Sequence, residues 1–257
     1  MAQERKEKVS TLEKGDIYFF YRPKVEEESP ESREDVQRLY MVLHPEKEKK
    51  YRLSIIGRKR MPDPAVSGKE RYWGFVQVVR KDPKAIRDEL REEKYRTKTR
   101  GEREIPAARP LGEGIYRIAR HGNHTHLLYS LELPKEPGEP QEEFQIEEEA
   151  SYIMSIKNPE KPTPPSAGLG EARQAEYPKK LQEVFRDRRF ADVDPPEFMD
   201  HEGTQFVLVA ALEDIKEDMG IDLETENESR ASADVFKDLK LDRSKHPTKP
   251  LFEGEWE

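Results

Sequence analysis

Four apolar blocks of this chain recur in the same order, and that recurrence narrows the architectures open to it more than any other feature. Gly15-Asp16-Ile17-Tyr18 opens one run and Gly114-Ile115-Tyr116 opens another. Leu39 to Pro45 is echoed by Leu128 to Pro134, Tyr51 to Ile55 by Tyr152 to Ile156, and Phe75 to Val79 by Phe206 to Ala210. The blocks are short and rich in aromatic and β-branched residues, which is the pattern of strands. After the fourth block the period changes. Asp82-Pro83 sets a helix start, with Ile86 and Leu90 four apart on one face.

The expected fold is therefore α+β. It consists of internally duplicated β-β-β-β-α units with mostly antiparallel sheet, arranged as pseudo-twofold sheet packing or as a shared barrel. Residues 1–12 read as a flexible arm, 13–101 as the first unit, and 102–223 as the second, with an inserted helix near 170–190. Tyr177, Leu181, Val184 and Phe185 give that helix its docking face. Residues 224–257 are polar and acidic and read as a poorly ordered tail. Its last residues set Phe252 and Trp256 among acids, which suits either a clamp onto the body or a protein partner.

Two small units would bury little on their own, and only 33% of the 257 residues are apolar against 39% charged. Packing the halves together is the natural remedy. With no cysteine, disulfides, thiolate metal sites and cysteine nucleophiles are excluded. No apolar stretch reaches the roughly 18 residues of a membrane span. The charged start of the chain lacks the apolar core of a signal peptide. The expectation is a cytoplasmic protein without a membrane partner.

A net charge of −8 conceals an asymmetry. Lys47 to Arg109 holds 20 Lys and Arg against 10 Asp and Glu, whereas the remainder holds 26 against 44. Within the basic stretch Arg58, Lys59, Arg60, Arg71, Arg96, Lys98, Arg100 and Arg103 are interleaved with aromatics, Trp73 among them. Cations for phosphates and rings for bases make this a candidate face for an anionic ligand such as RNA or a nucleotide. Gly15-Asp16 leading to Phe20-Tyr21, with the later Trp73-Gly74-Phe75-Val76, is similar to the small barrels of the PUA and EVE type. That resemblance implies binding of RNA or modified bases. Arg22 and Arg120 occupy matching positions in the first strands and form a second candidate, an anion site between the halves.

Gly122-Asn123 is a two-residue hairpin signal. Taken at face value it pairs His121 with His124, Ala119 with His126 and Tyr116 with Tyr129. His121, His124 and His126 then share one face, opposite an apolar one. Clustered imidazoles suit a divalent transition metal, and an open coordination position would make a metal-dependent hydrolase of the phosphoesterase kind. Arg120-His121-Gly122 also resembles the signature of the histidine phosphatases, which implies a nucleophilic histidine in an α/β fold. Three functions follow: a binding or regulatory protein for an anion, a metal-dependent hydrolase, and an interaction module acting through its tail.

Overall fold

The computed structural model describes residues 9–66, 68, 70–99, 101–162, 174–211, 215–216 and 219–257. Its strands are β1 (Ser10–Pro23), β2 (Val36–Pro45), β3 (Tyr51–Ile56), β4 (Tyr72–Arg80), β5 (Glu93–Thr97), β6 (Gly101–Ile105), β7 (Arg109–His121), β8 (His124–Leu133), β9 (Glu149–Lys157), β10 (Phe190–Asp192) and β11 (Gln205–Ala210). The α-helices are α1 (Lys84–Leu90), α2 (Glu139–Phe144), α3 (Lys179–Val184), α4 (Asp234–Asp238) and α5 (Lys249–Glu253).

Eight strands form one antiparallel sheet in the order β1-β2-β3-β4-β11-β9-β8-β7. Pairing of β7 with β1 closes it into a barrel. Short β10 extends the wall beside β9, and β5–β6 is a separate two-stranded ribbon. The α+β expectation is thereby corrected. All eight recurrent blocks lie on barrel strands, but they do not build two α+β units packed face to face. The helices are only five to seven residues long and sit on the outside or across the ends. The reason is edge chemistry: each four-strand run would leave two unpaired edges, and joining the runs at both seams removes all four.

Alternation along the strands divides the core into layers. Ile17, Phe19, Tyr21, Leu39, Met41, Tyr116, Ile118, Tyr129, Tyr152 and Phe206 fill the interior. Their neighbours Tyr18, Phe20, Tyr40, Val42 and Leu53 face outward, yet they are buried beneath α1, α4 and Leu251. A smaller outer patch, Ala119 and Leu128, is covered by Ile215, Met219, Ile221 and Leu223. Burial on both faces explains why these strands read as continuous apolar runs rather than alternating ones. Side chains fill the barrel, as an eight-stranded closure permits.

The boundaries shift accordingly. Ser10 to Leu12 belong to the wall and not to the arm expected over 1–12, of which residues 1–8 lie outside the described ones. Residues 13–101 and 102–223 are not separate units, because each supplies four adjacent staves of one barrel. Much of the stretch expected to carry an inserted helix near 170–190 is described from residue 174 onward, and the helix there is α3, with Leu181 and Phe185 in the core. The segment 224–257 is not a loose tail: Val235, Leu239 and Leu251 are fully buried on the outer wall. Trp256 packs against Tyr21 and Phe144, with ring centroids at 5.5 and 5.8 Å.

One end of the barrel is closed by charge. Arg52, 1% exposed, takes Glu13 in two hydrogen bonds of 2.6 and 2.9 Å and donates through Nε to Asp200 at 2.7 Å. Tyr116 completes Glu13 with a hydrogen bond of 2.8 Å. Every charge has an opposite charge against it, which is what allows an arginine to be dry.

Two predictions follow from the packing. A Cβ on Gly114 would lie 2.1 Å from the Ser130 carbonyl oxygen, and one on Gly15 would lie 2.1 Å from that of His44. Both obstacles are backbone. Gly114→Ala is expected to lower stability in urea denaturation by about 1–3 kcal/mol, the usual cost of overpacking. An unchanged midpoint would mean that β7 and β8 are not this close. The second concerns Glu113, which is 1% exposed and accepts hydrogen bonds from the Val235 and Asp234 N–H groups at 2.9 and 3.2 Å. Burial pushes its carboxyl from 4.5 up to about 7, the N–H donors pull it back, and the Glu228 and Asp234 charges add to the rise. The folded state then holds a proton that the unfolded chain has released. The stabilisation is complete below about pH 4.5 and is lost as pH rises through about 7. Glu113→Gln should therefore gain on the parent protein by up to about 3 kcal/mol between those pH values, and parallel stability profiles for the two would refute the assignment.

Candidate functional site

Arg22 begins the construction of the site. It lies near the end of β1, is 5% exposed, and its guanidinium is surrounded by carbonyls. It donates to Pro106 at 2.7 Å, to Arg91 at 3.0 Å and to the carbonyl of Glu89, while Nε reaches the Tyr40 hydroxyl at 3.2 Å. Glu89 and Arg91 precede β5 and Pro106 follows β6, so one side chain gathers both feet of the ribbon. Ala108 adds a backbone hydrogen bond of 2.8 Å to Leu90. His246, buried, sets Nδ1 2.7 Å from the Ala108 carbonyl oxygen and brings the C-terminal segment to the same place.

A cleft of about 470 Å³ lies between these elements. The ribbon supplies Lys94, Glu102, Arg103 and Glu104, the loop after β1 supplies Glu26 and Glu28, and Lys245 and Pro247 form the third wall. Ion pairs fix the rim: Arg103 Nε to Glu26 at 2.6 Å and Lys94 to Glu104 at 3.1 Å. The Glu26 N–H also donates to the Glu104 carbonyl at 2.9 Å.

Arg109, the first residue of β7, lines the cleft and is 3% exposed. Its Nη2 donates to the Glu28 carbonyl at 2.5 Å, whereas Nε and Nη1 have no hydrogen-bond partner. The guanidinium lies 5.9 Å from the ring centre of Tyr21, its partner in the β1–β7 ladder. Tyr21 Oη is buried against the same guanidinium without a well-aligned hydrogen bond; burial pushes the phenol up, and the charge and hydrogen-bonding contact of Arg109 pull it back. Trp256 Nε1, in the ring that meets Tyr21, is buried without a hydrogen-bond partner. An unpaired buried N–H costs about 1–3 kcal/mol, more on a charged group. Unlike Arg52, Arg109 is held dry without an opposing carboxylate among its hydrogen bonds.

The residues singled out from sequence fall elsewhere. Arg22 and Arg120 do not meet. Arg120 is level with Ser10 at the opposite end of β1, roughly 40 Å of strand from Arg22. It pairs with Asp194, while Arg22 serves the carbonyls above. The site between the halves is corrected on both counts. The basic residues are dispersed. Arg58 and Arg60 face Glu70 and the Tyr72 ring, Lys59 donates to the Val36 carbonyl at 2.8 Å, and Arg71 is exposed. Trp73 is buried on the outer wall with Val207 and Phe190, so it offers no free stacking face. Arg96 and Lys98 are exposed on the ribbon, Arg103 lines the cleft, and Arg100 lies outside the described residues.

The hairpin has the expected register, with His121 opposite His124 and His126 opposite Ala119. Its histidines differ in setting: His124 is exposed, His121 half-buried, and His126 2% exposed with Nδ1 3.3 Å from Ser151 Oγ. Burial pushes His126 down to about 4, with His121 and His124 adding to the fall. The His121 and His126 rings are 5.9 Å apart, but the three side chains do not bring their ligand atoms within 4.8 Å of one another. Arg120-His121-Gly122 runs into a strand turn and not into a helix, so the histidine-phosphatase setting is absent at this motif.

Comparison with known proteins adds no relative: no family model, no curated protein and no solved structure matches the chain. Among the described residues no helix is long and apolar enough to cross a membrane.

The staple at Arg22 is open to test. Arg22→Lys keeps the charge but loses the planar fork that reaches three carbonyls at once. Amide hydrogen exchange in β5 and β6 is expected to quicken at least tenfold while that of β2 and β3 holds. Equal exchange in the ribbon of both proteins would show that Arg22 does not hold its feet.

Proposed function

We propose that this chain is a binding protein whose cleft takes a small ligand bearing a carboxylate or a phosphate, with Arg109 as the group that recognises it. The supporting observation is the pair of unpartnered donors on a buried guanidinium beside a cavity of ligand size. Nε and Nη1 are themselves closed off from the cleft, so an anion meets the guanidinium at Nη2, in place of the Glu28 carbonyl, and a small movement of the side chain adds one neighbouring nitrogen to a bidentate contact. The rim narrows the choice further. Glu26, Glu28, Glu92, Glu102 and Glu104 stand against Lys94, Arg103, Arg109 and Lys245. A polyanion such as RNA meets repulsion there, whereas a small ligand carrying an amine as well as an acid meets both signs of charge. The described lining contains no serine, threonine, cysteine or histidine, and of its glutamates Glu26 and Glu104 are engaged by Arg103 and Lys94. A cytoplasmic location fits a chain without cysteine.

Nucleic acid is the second reading, carried by the ribbon. Tyr95 is exposed there beside Arg96 and Lys98. The metal-dependent hydrolase built on the hairpin histidines has less support, given their spacing, as does a partner-binding tail, given its burial.

The test is a thermal-shift screen of amino acids, dicarboxylates, phosphate monoesters and a short RNA against the parent protein and Arg109→Met. The methionine variant removes a buried charge that has few partners, so it should melt at or above the parent temperature. A small anion is expected to raise the melting temperature of the parent by several degrees and leave the variant unmoved. Equal shifts in both proteins, or salt-sensitive binding of RNA alone, would overturn the reading.

A further inference from the structure

On the outer wall, away from the cleft, three metal-type side chains converge from three elements. Asp16 of β1 and His44 of β2 are direct partners in the ladder, and Asp238 is the last residue of α4. His44 Nδ1 lies 3.3 Å from Asp16 Oδ2 and 3.0 Å from Asp238 Oδ2, and the three ligand atoms all fall within 4.8 Å of one another. Each side chain is partly exposed, at 36% for Asp16, 20% for His44 and 28% for Asp238, so an ion has access.

Second contacts hold the group in place. The Tyr18 hydroxyl donates to Asp238 Oδ2 at 2.7 Å and the Tyr51 hydroxyl to the Asp238 carbonyl at 3.1 Å. The His44 ring stacks on Tyr51 at 4.3 Å and 17°. Outer partners of this kind are what orient metal ligands.

We infer that Asp16, His44 and Asp238 form a binding site for one divalent transition-metal ion. Ligands about 2.1 Å from a common ion are about 3.0–3.4 Å apart when they occupy neighbouring positions of an octahedron or tetrahedron, and both measured separations lie in that interval. Both carboxylates meet the same His44 Nδ1, so an ion would take the place of the one proton that they share. The surroundings are acidic. A neighbouring depression of about 290 Å³ has Glu46, Glu224 and Glu226 beside Asp16, with Lys14 and Arg117 opposing them. One imidazole and two carboxylates select a first-row ion such as Zn²⁺ or Mn²⁺ over Mg²⁺ or Ca²⁺, which prefer oxygen alone. This site is independent of the cleft and of its ligand.

The experiment uses the full chain, tag-free and freed of metal by chelator. Zn²⁺, Mn²⁺ and Mg²⁺ are titrated separately by calorimetry and by thermal shift. The parent protein is compared with Asp16→Asn, His44→Gln and the double variant His121→Ala/His124→Ala. The expected result is one Zn²⁺ or Mn²⁺ per chain with a raised melting temperature, at least tenfold weaker binding in Asp16→Asn and His44→Gln, unchanged binding in the hairpin variant, and no response to Mg²⁺. Asp16 lies on the side of the cluster away from α4, so its variant keeps the test valid if His44→Gln does not fold. Binding that survives Asp16→Asn, binding lost with the hairpin histidines, or no stoichiometric binding at all would overturn the proposal. In the last case the cluster is a hydrogen-bonded clasp for α4.

Discussion

Closure of the sheet is the constraint on which the rest of this structure depends. Pairing of β1 with β7 and of β4 with β11 leaves no free edge in an eight-strand wall. Once closed, an eight-stranded barrel has room inside only for side chains, and here aromatic rings occupy it. Function is thereby moved to the rim and the outer wall. The ribbon, the C-terminal segment and the loop after β1 all belong to that periphery, and together they make the cleft.

The two ends of the barrel treat a buried arginine in opposite ways. Arg52 is surrounded by Glu13, Asp200 and Tyr116, and its fork is fully occupied. Such a residue closes an end. Arg109 has one carbonyl, with only the Tyr21 hydroxyl, poorly aligned, beside its other two nitrogens. Desolvation is costly for both, but only the first is repaid within the chain. That contrast is the physical reason for placing the ligand at Arg109, and it rests on geometry rather than on the local density of charge.

Local features were legible in the sequence. The hairpin at Gly122-Asn123 has the register that its two-residue turn demands, and α1 follows Pro83 with Ile86 and Leu90 buried. All eight barrel strands coincide with the apolar blocks. What lay beyond reach was the pairing of strands far apart in the chain. Nothing in Arg109 itself says that it will stand opposite Tyr21, since that register is set across about ninety intervening residues. The segment 224–257 misled for a related reason. Its apolar residues, Val235, Leu239 and Leu251, are sparse because they complete an outer face that the strands already supply. Asp16, His44 and Asp238 carry no spacing signal for the same cause: two come from neighbouring strands and the third from the far end of the chain.

The most direct test of closure is amide hydrogen exchange, residue by residue, at the two seams. Ile17 and Tyr116 report on β1–β7, and Gly74 and Phe206 report on β4–β11. In a closed barrel neither seam opens without the other, so all four amides should exchange through global unfolding with the same free energy. Exchange at Gly74 and Phe206 that is orders of magnitude faster than at Ile17 and Tyr116 would mean a sheet open along one seam, and the cleft would then have to be placed anew.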